Sequence, residues 1–404
     1  MDPAVADELL YNPLTPEFRV DPYPALHRLR RADPVHWSPH AYCWILTRYE
    51  DIRFVLSDRR FGIALDWLMQ IEALRPSFAE PFNQIIRTQI LAADPPAHTR
   101  IRGVLARPFA GAGVAAMRVE IQATVDRMLD AIAPRGHMDV MAELAYPLPF
   151  TVICDLLHIP EDERPPLTSF THKLMATTDP RPQTRQGIDD ANEAALGFQT
   201  YFLDLARRRR AAPIDDLFQT MVIAVDDGTI TAEEFVANMT LLFCAGHDTV
   251  VNLIGNGLLA LHRHPRQLAL LKDDPALVRT AIEELLRYDT TLQVGRRTAL
   301  ETIVVGGRTI YQGQYCVLML SAGNRDPDVF PDPDRLDITR QGTKPLSFGG
   351  GIHYCLGSAL ARLEGEIVFG TLLRRLPALA LDTLSPPWTE NVFLRGLAAL
   401  PASW

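Results

Sequence analysis

Residues 348–357 read Phe348-Gly349-Gly350-Gly351-Ile352-His353-Tyr354-Cys355-Leu356-Gly357 and run straight into the helical periodicity of residues 356–376. A thiol ahead of a helix N-terminus faces unpaired N–H donors and the positive end of the helix dipole, and both favour its thiolate. Clustered glycines let the backbone turn tightly and approach something flat and bulky. A single thiolate with no second cysteine nearby suits an axial metal ligand better than a redox pair. Three other readings stand beside this one. A lone buried cysteine is usually a small core residue. A Gly-rich loop ahead of a helix can cradle phosphate, although this chain has no Lys-Ser/Thr P-loop ending and no Gly-x-Gly-x-x-Gly. A cysteine hydrolase needs a partner base, and the spacing leaves His353 available for that role.

The chain has 404 residues, 47% hydrophobic and 22% charged, the composition of an ordinary globular protein. No Gly/Ser linker, repeat or low-complexity tract divides it, so a single domain spanning residues 1–404 is expected. A net charge of −9 argues against nucleic-acid binding. Five cysteines (43, 154, 244, 316 and 355) are scattered without a Cys-x-x-Cys, which fits a reducing cytoplasm and no disulfide framework. The start, Met1-Asp2-Pro3-Ala4-Val5-Ala6-Asp7-Glu8, has neither a basic nor an apolar leader segment, and no later run reaches the ~18 apolar residues of a spanning helix. No membrane anchor is expected.

Helical spacing dominates, over residues 114–132, 190–210 and 356–376 among others. Short strands are expected at 42–46, 302–305 and 315–320, the last two flanking glycine-bearing turns. The chain therefore reads as mainly α with small β-sheets (α+β). Thr231 and Glu234 form a capping box opening the longest helix, which ends near His262 and spans about 48 Å. Asp274 and Pro275 open a further helix over 276–288. Residues 325–340 are rich in Pro and Asp, but interleaved Val329, Phe330, Leu336 and Ile338 make them an ordered loop packed on the core. Arg207–Arg210 reads as a solvated helix end.

Every fixed position of Phe-Gly-x-Gly-x-His-x-Cys-x-Gly is present in residues 348–357, and the run resembles the haem-binding loop of the cytochrome P-450 haem-thiolate monooxygenases. Electron donation from such a thiolate favours O–O cleavage. The resemblance reaches from Asp21-Pro22-Tyr23-Pro24 to the region of Phe393 and is to the soluble bacterial type, so a cytoplasmic location is expected. It implies the cytochrome P-450 fold with a long central helix over haem. It also implies Cys355 as the metal ligand, haem b (heme b, iron protoporphyrin IX) as cofactor and dioxygen as co-substrate. Phe348, Gly349, His353 and Gly357 then belong to the cofactor site.

A second motif, Ala245-Gly246-His247-Asp248-Thr249, lies in the middle of the longest helix. Glycine there costs about 1 kcal/mol relative to alanine, and Asp and Thr favour local distortion. Polar residues within the apolar run Leu241-Leu242-Phe243 to Leu253-Ile254 point to function, because unpaired burial is costly. The run matches the family's oxygen-activation motif. By that resemblance Ala245 and Gly246 adjoin the cofactor, Thr249 hydrogen-bonds the dioxygen co-substrate, and Asp248 relays protons from water.

The third motif is Glu284-Leu285-Leu286-Arg287, whose ends share one helix face. Such a pair is common, and a surface ion pair contributes little. In the family it is buried and joined by an arginine of the following loop, and Arg335 fits that place. Four residues match positions that hold haem propionates: His98, Arg102, Arg297 and His353. Arg suits this task through its fixed fork of donors. The frequent Phe after the loop arginine is replaced by Leu336.

The resemblance implies a monooxygenase that hydroxylates or epoxidises a lipophilic small molecule. Electrons would come from NAD(P)H through a separate reductase and a ferredoxin or flavodoxin. Arg100, Arg107 and Arg362 are expected to form a basic patch for that partner. Pocket segments are 64–87, 167–184, 241–245, 292–294 and 391–394, with Leu241, Cys244, Gln293, Val294 and Phe393, and also Asp66, Trp67 and Gln70, as candidate substrate contacts. Two rivals are a peroxide-driven relative and a non-catalytic haem sensor. The Asp248-Thr249 pair argues against both.

Overall fold

The structure, a computed structural model, describes residues 12–63, 80–178, 184–342 and 344–404. The chain forms two compact units. A helical unit takes the described residues of Ile63–Ile121 and Pro147–Asp248, and a mixed unit takes those up to Gly62, Gln122–Tyr146 and Thr249–Trp404.

In the helical unit the helix Arg185–Ala211 starts where the Thr184 side chain accepts from Gly187 N at 3.0 Å. Its buried face, Ala191, Ala194, Ala195, Phe198, Phe202 and Leu205, follows the 3–4-residue period of an amphipathic helix. Phe198 and Phe202 stack with centroids 5.4 Å apart, and both rings pack on Phe243 of the long helix. The end of this helix corrects one expectation. Arg209 is buried and donates to Asp216 Oδ2 (2.8 Å) and Leu157 O (2.8 Å), because the next helix, Leu217–Asp226, turns back with Asp216 as its N-cap. Arg208 and Arg210 are also paired, with Glu163 and Asp226. The expected helix over 114–132 is two helices, Gly111–Ala116 and Arg118–Ile132.

All strands among the described residues lie in the mixed unit. In chain order they are β1 (Val35–Ser38), β2 (Cys43–Leu46), β3 (Phe61–Gly62), β4 (His137–Asp139), β5 (Val294–Ala299), β6 (Ile303–Val305), β7 (Arg308–Ile310), β8 (Tyr315–Met319), β9 (Ala380–Leu381) and β10 (Pro401–Ser403). The main sheet runs β1-β2-β8-β5-β3. Only the β2–β8 pair is parallel, in the register Leu46↔Leu318. Its apolar face, with Val35, Leu46, Cys316 and Leu318, closes over Ile52 and Phe330. Residues 325–340 pack on the core as read: Phe330, Leu336 and Ile338 are all buried.

The long helix, Ala232–Arg263, opens with the expected capping box. Glu234 N donates to Thr231 Oγ1 (3.2 Å) and Thr231 N donates to Glu234 Oε2 (2.9 Å). It stays helical through Ala245–Thr249, without the break that its Gly, Asp and Thr would favour. No helix among the described residues is long and apolar enough to cross a membrane.

Candidate active site

Single 3-10 turns at Leu346–Phe348 and Gly351–His353 shape the glycine loop, and Cys355 N donates to Phe348 O at 3.0 Å to close it. Gly351 has φ 65°, a conformation that costs only glycine nothing, and a Cβ there would lie 2.2 Å from Leu56 O. Among the described residues, no heavy atom beyond the adjoining residues lies within 4 Å of a Cβ built on Gly349 or Gly357, so one side of the loop is open. Half-buried Cys355 sits in that loop, ahead of the helix Ser358–Arg375. The remaining cysteines contrast with it. Cys43, Cys154 and Cys316 are buried, and burial pushes the Cys154, Cys244 and Cys316 thiols up to about 12. A lone sulfur in an open-sided glycine cradle fits a thiolate-ligated flat macrocycle.

An arginine covers the Phe348 ring. The Arg362 guanidinium carbon lies 4.4 Å from its centroid, and Arg362 binds Glu283 of the helix Val278–Tyr288 (Nη2 to Oε2, 3.2 Å). It also donates to Ser358 O at 3.3 Å.

Glu284 and Arg287 are 1% and 0% exposed and form a two-armed pair, Nε to Oε2 at 2.7 Å and Nη2 to Oε1 at 2.8 Å. Arg287 further donates to Asn324 O (2.9 Å) and Pro333 O (2.8 Å). Asn324 accepts from Leu346 N (2.6 Å) and donates to Ser347 Oγ (2.9 Å), which carries the pair's order to the residue before Phe348. Arg335 does not occupy the expected third place. Its side chain is exposed beside Asp337, and only its carbonyl meets Arg287 Nη2, at 3.2 Å. Arg340 takes the place instead, with Nε 3.3 Å from Glu284 Oε2, because the loop doubles back and brings its last residue, not its middle, over the carboxylate.

Arg297 is buried on β5, with Nη1 donating to Arg296 O at 2.8 Å, and His353 is half-buried in the glycine loop. In the helical unit, His98 and Arg102 stand one turn apart on the helix Ala97–Leu105, His98 buried and Arg102 half-buried.

Asp248 and Thr249 are both half-buried. His247 Nδ1 donates to Asp248 Oδ1 at 2.7 Å, a bond that spacing alone did not suggest. A Cβ on Gly246 would meet Ile153 Cδ1 at 3.0 Å, so glycine lets the helix Pro147–Leu156 approach closely.

Of the candidate substrate contacts, Gln293 and Phe393 are brought together, Gln293 N donating to Phe393 O at 2.8 Å, with Val294 half-buried beside them. Leu241 and Cys244 lie one turn apart on the long helix, buried and half-buried. Asp66, Trp67 and Gln70 lie outside the described residues, as do residues 64–79 and 179–183 of the pocket segments. The expected basic patch is altered. Arg100 is bound two-armed by Glu234 (2.7 and 2.6 Å), and Arg362 by Glu283, so neither charge stands uncompensated.

Comparison with known proteins agrees with this geometry. The Cytochrome P-450 family profile matches residues 274–393. The polyketide biosynthesis cytochrome P-450 PksS of Bacillus subtilis is 34% identical, over 98% of this chain and 99% of that protein. The cytochrome P-450 monooxygenase PikC of Streptomyces venezuelae is 38% identical, over 96% of this chain and 92% of its own length. Among solved structures, cytochrome P-450 BioI in complex with hexadec-9Z-enoic acid ligated acyl carrier protein superposes with a TM-score of 0.89 at 34% identity, covering 96% of this chain and 99% of that one.

Proposed function

The chain belongs to the cytochrome P-450 family and is a haem-dependent monooxygenase, and from that premise we propose that it oxidises a polyketide or long-chain acyl compound. Its cofactor is haem b and its co-substrate dioxygen; the haem, when bound, supplies dioxygen reduction and cleavage. Like its relatives it acts on a small molecule and needs a redox partner.

Cys355 is the proposed iron ligand. It is supported by its position in the open-sided glycine loop and by the neutral thiols that burial imposes on Cys154, Cys244 and Cys316. Phe348, Gly349 and Gly357 shape that cradle. Arg297 and His353 are the proposed propionate partners within the mixed unit. The same role for His98 and Arg102, and the placement of Ala245 and Gly246 beside the cofactor, rest on the family resemblance. Glu284, Arg287 and Arg340 hold the backbone that leads into the loop. Thr249 is the proposed hydrogen-bond donor to dioxygen, and Asp248 the group that moves protons towards it. Residues 1–404 are taken to work as one domain, in the cytoplasm, with electrons from NAD(P)H through a reductase and a ferredoxin or flavodoxin.

The substrate class is supported by the apolar candidate contacts Leu241, Val294 and Phe393 and by relatives described for polyketide biosynthesis and for an acyl chain. One experiment tests both parts. The purified protein, reduced under carbon monoxide, is expected to show the thiolate-type haem band, and Cys355→Ser to lose it. Titration with hexadec-9Z-enoic acid and with a polyketide macrolactone is expected to shift the ferric haem towards high spin with at least one of them. A shift with neither rejects this substrate class, and an unchanged band in Cys355→Ser rejects the ligand.

A further inference from the structure

His247 stands between Gly246 and Asp248, and its ring is only 2% exposed. Its Nδ1 lies 2.7 Å from Asp248 Oδ1. An ionised carboxylate only accepts, so the proton in that contact belongs to the imidazole. Two rings box the imidazole. The Phe150 ring meets it edge-on at 6.4 Å and 88°, and the His172 ring lies 5.8 Å away at 48°. His172 is in the last turn of the helix Arg164–Met175 and is exposed to solvent. An acid, a buried imidazole and a solvent-reaching imidazole therefore stand in succession, all within the helical unit.

Among the described residues, two further titratable groups nearby are already accounted for. Lys173, next to His172, is bound by Glu193 at 2.7 Å. Cys244, one turn before Asp248, keeps a neutral thiol, pushed up to about 12 by burial and by the Asp248 charge. Partial burial of the ring holds His172 below the ordinary imidazole value, with the Asp248 charge opposing it. His172 is thus neutral near pH 7 and able to take up a proton.

We propose that His172 and His247 are the solvent-side arm of proton supply to Asp248; this rests on the reading of Asp248 as the proton-moving acid. A proton from solvent adds to His172 and passes, through one bridging water, to the outer nitrogen of His247. His247 releases its Nδ1 proton to the Asp248 carboxylate. One proton has moved, both imidazoles end neutral, and no electron is exchanged. His172 and His247 are positioning and relay groups.

Two measurements on the holoenzyme test this. In the reduced, carbon monoxide-bound protein, histidine nitrogen NMR follows the titration of His172. Asp248→Asn removes an attractive charge and is expected to lower its midpoint further. A His172 midpoint unmoved by Asp248→Asn overturns the arm. The second measurement uses NAD(P)H, a surrogate ferredoxin and reductase, and hexadec-9Z-enoic acid in the pocket, and records the fraction of consumed dioxygen released as hydrogen peroxide. That fraction is expected to rise roughly threefold or more in His247→Phe, His172→Phe and His172→Gln, with a flatter pH profile than the parent. If Asp248→Asn raises it and the histidine variants do not, the arm is overturned and Asp248 keeps its role. If Asp248→Asn also leaves it at the parent level, the reading of Asp248 falls, and the arm with it.

Discussion

Arg362 stacks its guanidinium over the Phe348 ring, 4.4 Å from carbon to centroid, while Glu283 holds it from the neighbouring helix. The arginine is thereby built into the wall of the thiolate loop. A desolvated cation–π contact stabilises by up to about 2 kcal/mol, and a half-exposed ion pair adds little. Arg362→Ala is expected to lower unfolding stability in urea by about 1 kcal/mol. Because Glu283 already neutralises the charge, the salt dependence of reduction by a ferredoxin should stay close to the parent's. A collapse of that salt dependence in Arg362→Ala would return the residue to the role of partner contact.

The Glu284–Arg287 pair predicts a graded series. Removing one member leaves a buried charge uncompensated, so Glu284→Ala should cost about 3–5 kcal/mol and in practice prevent haem incorporation. Arg340→Ala removes the partly buried ion pair with Glu284 and the hydrogen bonds to the Pro331 and Asp332 carbonyls, and should cost about 1–2 kcal/mol. Arg335→Ala should stay within about 0.5 kcal/mol, since its side chain is exposed. Thermal denaturation of the three variants checks the order, and equal losses for Arg335 and Arg340 would contradict it.

Two glycines should respond in opposite directions. Gly351→Ala forces a Cβ to 2.2 Å from Leu56 O at φ 65°, so it should abolish the thiolate-type carbon monoxide band. Gly103, inside the helix Ala97–Leu105, has no described heavy atom beyond its own helix backbone and adjoining residues within 4 Å of its Cβ position. Gly103→Ala should stabilise by about 0.5–1 kcal/mol through the helix preference of alanine, read as a higher melting temperature.

Glu364 gives a pH signature. It is buried on the helix Ser358–Arg375, its Oε2 has no hydrogen-bond partner among the described residues, and burial pushes its carboxyl up from 4.5 to about 8. The unfolded chain loses this proton near 4.5 and the native chain only near 8, so between these values the native state binds more protons. Stability should fall as pH rises through that window, by at most about 1.4 kcal/mol per pH unit. Glu364→Gln should flatten the slope and be the more stable protein at pH 8. Parallel pH profiles for the two proteins would show that Glu364 ionises normally.

Where chemistry is local, it can be read along the chain. The Thr231–Glu234 capping box, the Asp274 cap that accepts from Ala276 N, the thiol loop with its glycines, and the i,i+3 pairing of Glu284 with Arg287 all depend on residues within one or two turns. The interleaved apolar residues among Arg325–Arg340 likewise announced a packed loop against the Pro- and Asp-rich composition, and Phe330, Leu336 and Ile338 are buried.

Choices between equivalent groups were settled by folding. Arg335 and Arg340 are alike in sequence terms, and only the path of the loop puts Arg340 on Glu284. Arg209 sits in a run of four arginines, yet it alone is buried, because the following helix turns its Asp216 cap onto it. His172 meets His247 across 75 positions of chain, and no spacing rule connects them. A side chain's own turn is fixed by φ, ψ and near neighbours, whereas its distant partner depends on how whole helices pack, a balance of many small contacts that no short motif encodes.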